Sequence, residues 1–276
     1  MDPVRRRAER QFLCSAPTNF IFKQDFNLES LGYISEKLDN SISIKLEGSE
    51  HKHLAYSLRL KIGECISLFD QFQQIKLHCT INQITKDCTL LEASSYSTFR
   101  GTVIEALVGI GDSKTIDFIT EKLTELGVNR ICFFKGDHTT GKATDKEIRL
   151  DRLERIRDSA VKQSNSYVYT IIETAKNLET CVKEPSESEI NIALIPPLSG
   201  TNWLPLSKLL NEKSKPKKVV FAIGPEGGFS KKEEEFMIQN NYIVAGLACN
   251  VLRMETAAIL SCGQIVESYH SYFKTS

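Results

Sequence analysis

Three residues in this chain have the types and settings for chemistry. Glu226 lies inside Gly224-Pro225-Glu226-Gly227-Gly228, and Arg253 and Glu255 lie in Arg253-Met254-Glu255-Thr256. A carboxylate can orient or accept a proton, and a guanidinium can stabilise a developing oxyanion or fix a carboxylate. The glycines around Glu226 allow a close backbone approach to a ligand. Just beyond them, Ser230 and Glu233 stand at capping-box spacing, which places a helix N-terminus with unpaired N–H groups behind the turn. These are parts for holding a small molecule. The bland alternatives are a capped strand-to-helix turn for the first segment and a structural ion pair for the second.

Other chemistries lack their patterns. There is no G-x-G-x-x-G after a first strand, no P-loop lysine and no G-x-S-x-G elbow, which disfavours nicotinamide, nucleoside triphosphate and serine-hydrolase sites. The eight cysteines include no C-x-x-C, so neither a zinc site nor a thioredoxin-like motif is signalled. His51 and His53 read as surface or packing histidines, and no metal is expected.

The elements that must position these residues follow from periodicity. From about Phe99–Gly101 onward, strands and helices alternate. Strands are expected at 103–108, 130–134, 167–172, 190–195, 219–223 and 242–247. Helices are expected at 114–126, 145–163, 230–240 and 255–272. Ile116, Ile119, Leu123 and Leu126 form one stripe that Gly127 terminates. Such alternation implies an α/β fold with a mostly parallel sheet covered on both faces, and ligands bind beyond the carboxyl ends of its strands. Three loops, starting at Ile195, Gly224 and Ala248, follow the fourth, fifth and sixth of these strands. In a parallel sheet they share one edge.

The first hundred residues read instead as short strands, at 41–47, 64–69, 75–81 and 88–92, with a helix over 50–58, suggesting a small barrel or open sheet. With 41% hydrophobic and 25% charged residues, the chain has material for a real core. Its formal net charge of zero gives no global pull toward nucleic acid. Unpaired cysteines fit a reducing compartment, and neither a membrane-length apolar run nor a secretory h-region stands out, so the cytoplasm is expected.

Taken together, the motifs resemble those of the RsmE-type 16S ribosomal RNA (uracil-N3) methyltransferases. Ile223-Gly-Pro-Glu-Gly-Gly-Phe-Ser230 with Glu233 is similar to that family's first signature, and Leu247-Ala-Cys-Asn-Val-Leu-Arg-Met-Glu-Thr-Ala257 to its second. Lys122 with Glu125-Leu-Gly-Val128, Gln163-Ser164, His53-Leu54, Leu58–Glu64, Leu68-Phe-Asp70 and Arg10-Gln-Phe-Leu13 also agree, so the likeness spans nearly the whole chain.

The resemblance implies a PUA-like β-barrel RNA-binding domain over 1–98. It implies a SPOUT methyltransferase domain over 99–276, whose C-terminal segment forms a trefoil knot and which works as a homodimer. The implied methyl donor is S-adenosylmethionine, and the implied partner is 16S ribosomal RNA or the small ribosomal subunit. Donor contacts are implied for Leu194, Ile195 and Pro196 in the first loop and for Ile223, Gly224, Gly227 and Gly228 in the second. In the third they are implied for Leu247, Ala248, Val251, Leu252, Met254, Thr256 and Ala257. Glu226 or Glu255 would orient or deprotonate the uracil, and Arg253 would stabilise its developing negative oxygen or fix a carboxylate. Arg10, Arg59 and Lys61 are implied RNA contacts.

The chain departs from the family pattern in places. Ala248 and Asn250 replace a glycine and an arginine, Asn165-Ser166 stand where an arginine is common, and Gln71 replaces a turn glycine. The alternatives are an RNA-binding protein of the same fold without activity, and a SPOUT methyltransferase acting on another RNA site.

Overall fold

Both strand patterns in the sequence become sheets. The structure, a computed structural model, describes residues 10–13, 34–71, 75–98, 101–139, 148–182, 188–196, 203–212 and 215–269. The chain divides into two units, Met1–Arg100 with Val161–Tyr167, and Gly101–Ala160 with Val168–Ser276.

The first unit holds β1 (Arg10–Leu13), β2 (Ile34–Leu46), β3 (Cys65–Asp70), β4 (Ile75–Ile84) and β5 (Thr89–Thr98), in the order β1-β3-β4-β5-β2. β3, β4 and β5 form an antiparallel meander, β2 pairs antiparallel with β5, and β1 pairs parallel with β3. Period-two alternation sets the faces. Ile42, Ile44 and Leu46 join the core of Phe12, Ile66, Leu77 and Leu91, while Ser41, Ser43 and Lys45 are exposed. The helix expected over 50–58 is in two pieces, α1 (Gly48–Lys52) and a π-helical turn (His53–Ser57).

The second unit contains β6 (Val103–Gly109), α2 (Ser113–Glu125), β7 (Arg130–Phe134), α3 (Leu150–Ser164), β8 (Ile171–Ala175) and α4 (Leu178–Cys181). It continues with β9 (Glu189–Leu194), β10 (Leu204–Pro205), α5 (Leu206–Glu212), β11 (Lys218–Ile223), α6 (Lys231–Gln239), β12 (Ile243–Gly246) and α7 (Met254–Tyr269). The last turn of α3 groups with the first unit.

The sheet order is β10-β12-β9-β11-β6-β7-β8, and every pairing is parallel. β7 is buried throughout, and β9 and β11 are buried beyond their first residues, as strands covered on both faces must be. Ile131, Phe133, Val219 and Phe221 face a core shared with α2, α5 and α7. Cys132, Phe134, Val220 and Ala222 face a second core with α4 and α6.

In the first unit β2 starts seven residues before, and β5 ends six residues beyond, the expected bounds, and in the second unit two element starts differ by several residues. The strand expected at 167–172 starts at Ile171, because the aromatic residues before it pack elsewhere. Tyr169 lies under Arg157, 4.1 Å from its ring centroid, and its hydroxyl donates to Asp158 at 2.8 Å. The helix expected from 145 starts at Leu150, and residues 145–147 lie outside the described set.

Three helices stop by the same device. After α2, α3 and α6 the chain turns left-handed at Gly127 (φ 80), Asn165 (φ 55) and Asn241 (φ 63). The next N–H then reaches back five residues, from Val128 to Leu123, Ser166 to Val161 and Tyr242 to Met237. Asparagine tolerates this conformation better than a longer side chain. The departure at Asn165 is therefore a helix stop, further held by Lys76, whose Nζ donates to the Asn165 Oδ1 at 2.6 Å.

Candidate active site

β12, β9 and β11 are adjacent and parallel, so the three motif loops leave the sheet at one edge. The register is tight there, with Ile223 opposite Leu194 and Ala245 opposite the same residue on its other side.

After β11 the chain makes a turn in which the Gly228 N–H donates to the Pro225 carbonyl at 2.8 Å. Gly228 has φ +75, a conformation that favours glycine. A Cβ on Gly224 would lie 2.8 Å from the Gly228 carbonyl carbon, so the turn closes on itself without room for a side chain.

Behind the turn, α6 starts in the expected capping box. Ser230 accepts from the Glu233 N–H at 3.2 Å, and the Glu233 carboxylate accepts from the Ser230 N–H at 2.8 Å. The other Glu233 oxygen accepts from the Asp137 N–H at 3.1 Å, and the Ser230 hydroxyl donates to Asp137 Oδ2 at 2.6 Å. Buried Glu233 thus ties the loop after β7 to the turn. His138 Nδ1 lies 3.2 Å from the Gly227 carbonyl oxygen and adds a second tie.

The loops enclose a cavity of about 800 Å³, within the range of small-molecule sites. Glu226, Arg253 and Glu255 all line it. So do Leu194, Ile195, Pro196, Ile223, Gly224, Gly227, Gly228, Val251, Leu252, Met254 and Ala257. Leu247 lines a narrower apolar slot of about 50 Å³ that shares the Leu194–Pro196 and Val251–Leu252 walls. Ala248 and Thr256 line neither space and are exposed.

Asp112, Glu226, Glu234 and Glu255 face the cavity against the single guanidinium of Arg253. Among the described residues, Glu226, Arg253 and Glu255 make no ion pair with one another or with a neighbour. The lining therefore carries excess negative charge, which suits a cationic ligand and opposes a polyphosphate.

Residues 100–266 match the RNA methyltransferase domain family. The chain belongs to this family.

Among relatives of this RNA methyltransferase, the Bacillus subtilis ribosomal RNA small subunit methyltransferase E is 20% identical over 236 residues, covering 83% of this chain and 92% of that protein. The Aquifex aeolicus protein of the same name is 31% identical over 148 residues, covering 54% of this chain and 61% of that protein. A solved ribosomal RNA small subunit methyltransferase E from Neisseria gonorrhoeae, bound to S-adenosyl methionine, superposes with a TM-score of 0.70 at 21% identity. The match covers 94% of this chain and 97% of that one, and it shows a shared α/β fold.

Sequence reasoning missed four parts of this methyltransferase's site. Asp137 and His138 carried no motif; Asp137 bonds the Ser230 and Glu233 side chains and His138 the Gly227 carbonyl. Asp112 caps α2 by accepting from the Lys114 and Thr115 N–H groups, both at 2.8 Å, and those backbone bonds hold its carboxyl below the usual range. An aspartate before an apolar-periodic segment is a readable helix start. Trp203 donates from Nε1 to the Ile195 carbonyl at 3.0 Å and fixes the first loop. It is the sole tryptophan of the chain.

In the first unit, Arg59 is exposed and left-handed (φ 53), and Lys61 is exposed beside it. Arg10 opens β1, and its side chain lies outside the described residues.

Proposed function

We propose that this chain transfers a methyl group from S-adenosylmethionine to N3 of a uridine in small-subunit ribosomal RNA. The observation that carries the reading is the acid-rich cavity built from the three motif loops at one sheet edge, in a chain of the RNA methyltransferase family. S-adenosylmethionine carries two cationic groups, a sulfonium and an ammonium, and no phosphate. The excess carboxylates fit those charges, the apolar slot fits a flat heterocycle, and the crowded Gly224 admits backbone against the ligand. The names of the relatives and the donor in the Neisseria gonorrhoeae structure point the same way.

The donor, when bound, supplies a methyl group on a cationic sulfur. The chain's own residues prepare the acceptor. Uracil N3 carries a proton and is a poor nucleophile until that proton leaves. Glu226 or Glu255 takes or orients it, and Arg253 holds the ring oxygen on which negative charge grows. The target base must leave any stack to enter the cavity.

The first unit serves as a PUA-like RNA platform, with Arg59 and Lys61 exposed near Tyr56 and Ile62, which are 57% and 63% exposed. The C-terminal segment forms a trefoil knot. In support, β11 inserts between β9 and β6, the chain then crosses to pair β12 on the far side of β9, and α7 returns to pack on α2. A second copy of the chain completes a homodimer by covering Val251 and Leu260, which are 78% and 48% exposed. The working compartment is the cytoplasm.

The test is nucleoside mass spectrometry of small-subunit RNA from cells with and without the gene. Loss of N3-methyluridine on deletion supports the proposal. Unchanged N3-methyluridine with loss of a different methylated nucleoside assigns another RNA site instead.

A further inference from the structure

The apolar slot has one feature that the motifs do not account for. Ser261 lies in its wall, 1% exposed, and its hydroxyl has no hydrogen-bond partner among the described residues. A buried hydroxyl without a partner costs free energy, so its presence calls for a group to satisfy it. Ser261 is four residues beyond Ala257 on α7, so both face the same space. The slot therefore has a graded depth, with Val251 largely exposed at its rim and Ser261 at its floor. Both backbone polar groups of Ile195, in the same wall, are spent. The Ile195 N–H donates to the Ala245 carbonyl at 3.0 Å, and the Ile195 carbonyl accepts from Trp203 at 3.0 Å. Gly246 stands directly against that pair, and a Cβ there would lie 2.9 Å from Trp203 Nε1, so the wall is flat and unyielding.

We propose that Ser261 is a donor-specificity residue, whose buried hydroxyl hydrogen-bonds the polar edge of the purine base of S-adenosylmethionine. The inference rests on the donor reading above. A flat base entering edge-first between the Ile195 and Leu247 walls brings its polar edge to the floor. A serine hydroxyl both donates and accepts, so it can satisfy either a ring nitrogen or an exocyclic amine. Neither signature motif includes this position, since the second ends at Ala257.

The test is calorimetric titration of wild type, Ser261→Ala and Ser261→Thr with S-adenosylhomocysteine and with 5′-methylthioadenosine, which keeps the base and ribose but lacks the amino acid. Thermal melting of each ligand-free protein accompanies it. Ser261→Ala is expected to weaken both ligands by the same factor, about 3- to 10-fold for one neutral hydrogen bond. The ligand-free variant should melt at or above wild type, because the unsatisfied hydroxyl is gone, and Ser261→Thr should keep the larger part of the affinity. Equal affinity of Ser261→Ala and wild type overturns the inference. A loss confined to S-adenosylhomocysteine also overturns it, by placing the hydroxyl at the amino-acid end. Failure of the wild-type chain to bind either ligand overturns the donor reading itself.

Discussion

The two ends of the parallel sheet handle charge in opposite ways. At the amino-terminal end, Arg130 donates to Glu173 at 2.7 Å and to Glu105 at 2.9 Å, while Lys218 bridges Glu105 at 3.4 Å and Glu189 at 3.5 Å. Arg130 is 5% exposed, and its neighbouring carboxylates hold its guanidinium charged against the cost of burial. At the carboxyl end, Glu226, Arg253 and Glu255 line a cavity without pairing among the described residues. Paired charges fix a register, whereas unpaired ones remain free to meet a substrate. The same residue types thus maintain the fold at one edge and are offered for chemistry at the other, and the two sets should respond oppositely to mutation.

The largest effect should come from the unpaired set. Of Glu226→Gln and Glu255→Gln, the one that removes the base is expected to lower methyl transfer by roughly 100- to 10,000-fold. Arg253→Ala is expected to lower it by roughly 100- to 1,000-fold. Denaturant midpoints should stay close to wild type, because no described partner is orphaned. Radiolabelled methyl incorporation into small-subunit RNA measures the first quantity and urea unfolding the second. A variant in this set that unfolds easily would break the contrast.

Arg130→Met should reverse that pattern. It leaves Glu105 with Lys218 alone and half-exposed Glu173 without its guanidinium, at a cost below the roughly 3–5 kcal/mol of an uncompensated buried charge. Urea unfolding should show the loss, while donor affinity per folded molecule stays unchanged in calorimetry.

Gly224→Ala sharpens the comparison in a different way, since it adds no charge. Its methyl group would meet the Gly228 backbone at 2.8 Å. Overpacking of this kind costs about 1–3 kcal/mol, and here it should fall on donor binding, roughly 10- to 100-fold. An unchanged dissociation constant would show that the turn does not touch the donor.

The smallest effect concerns Asp112, an exposed carboxylate at the cavity rim. Its folded pKa is depressed by the Thr115 and Lys114 N–H groups, so its contribution is complete above the unfolded value of about 3.9. That contribution fades as pH falls through the folded value. Asp112→Ala should cost about 1 kcal/mol at neutral pH, as a lost helix cap does, and the difference from wild type should vanish in unfolding measured at progressively more acid pH.

Much of this contrast was legible in the sequence. Period-two and period-3.6 patterns locate the principal strands and helices, and Gly127 and Ser230 mark a helix end and a helix start as the backbone requires. That the three loops share one sheet edge follows from alternation, whereas their adjacency shows only in the strand order β12-β9-β11. What stayed hidden depends on partners far along the chain. The strand at Ile171–Ala175 was displaced because Tyr169 packs against Arg157. Asp137 and His138 support the turn from 93 and 89 residues away. The small amphipathic helix α5 did leave a signal, with Leu206, Leu209 and Leu210 on one face. Ser261 lacked any, because a serine inside a helix shows its lost partner only once burial is known.

The central claim is methyl transfer to uridine N3 from the cavity at the carboxyl edge. Its most direct measurement incubates the purified chain with S-adenosylmethionine and small subunits that lack the modification, followed by nucleoside mass spectrometry of the RNA. The account predicts stoichiometric N3-methyluridine with wild type, and formation roughly 100- to 1,000-fold slower with Arg253→Ala at equal folded concentration. A wild-type chain that binds the donor and the subunit yet forms no N3-methyluridine would contradict it.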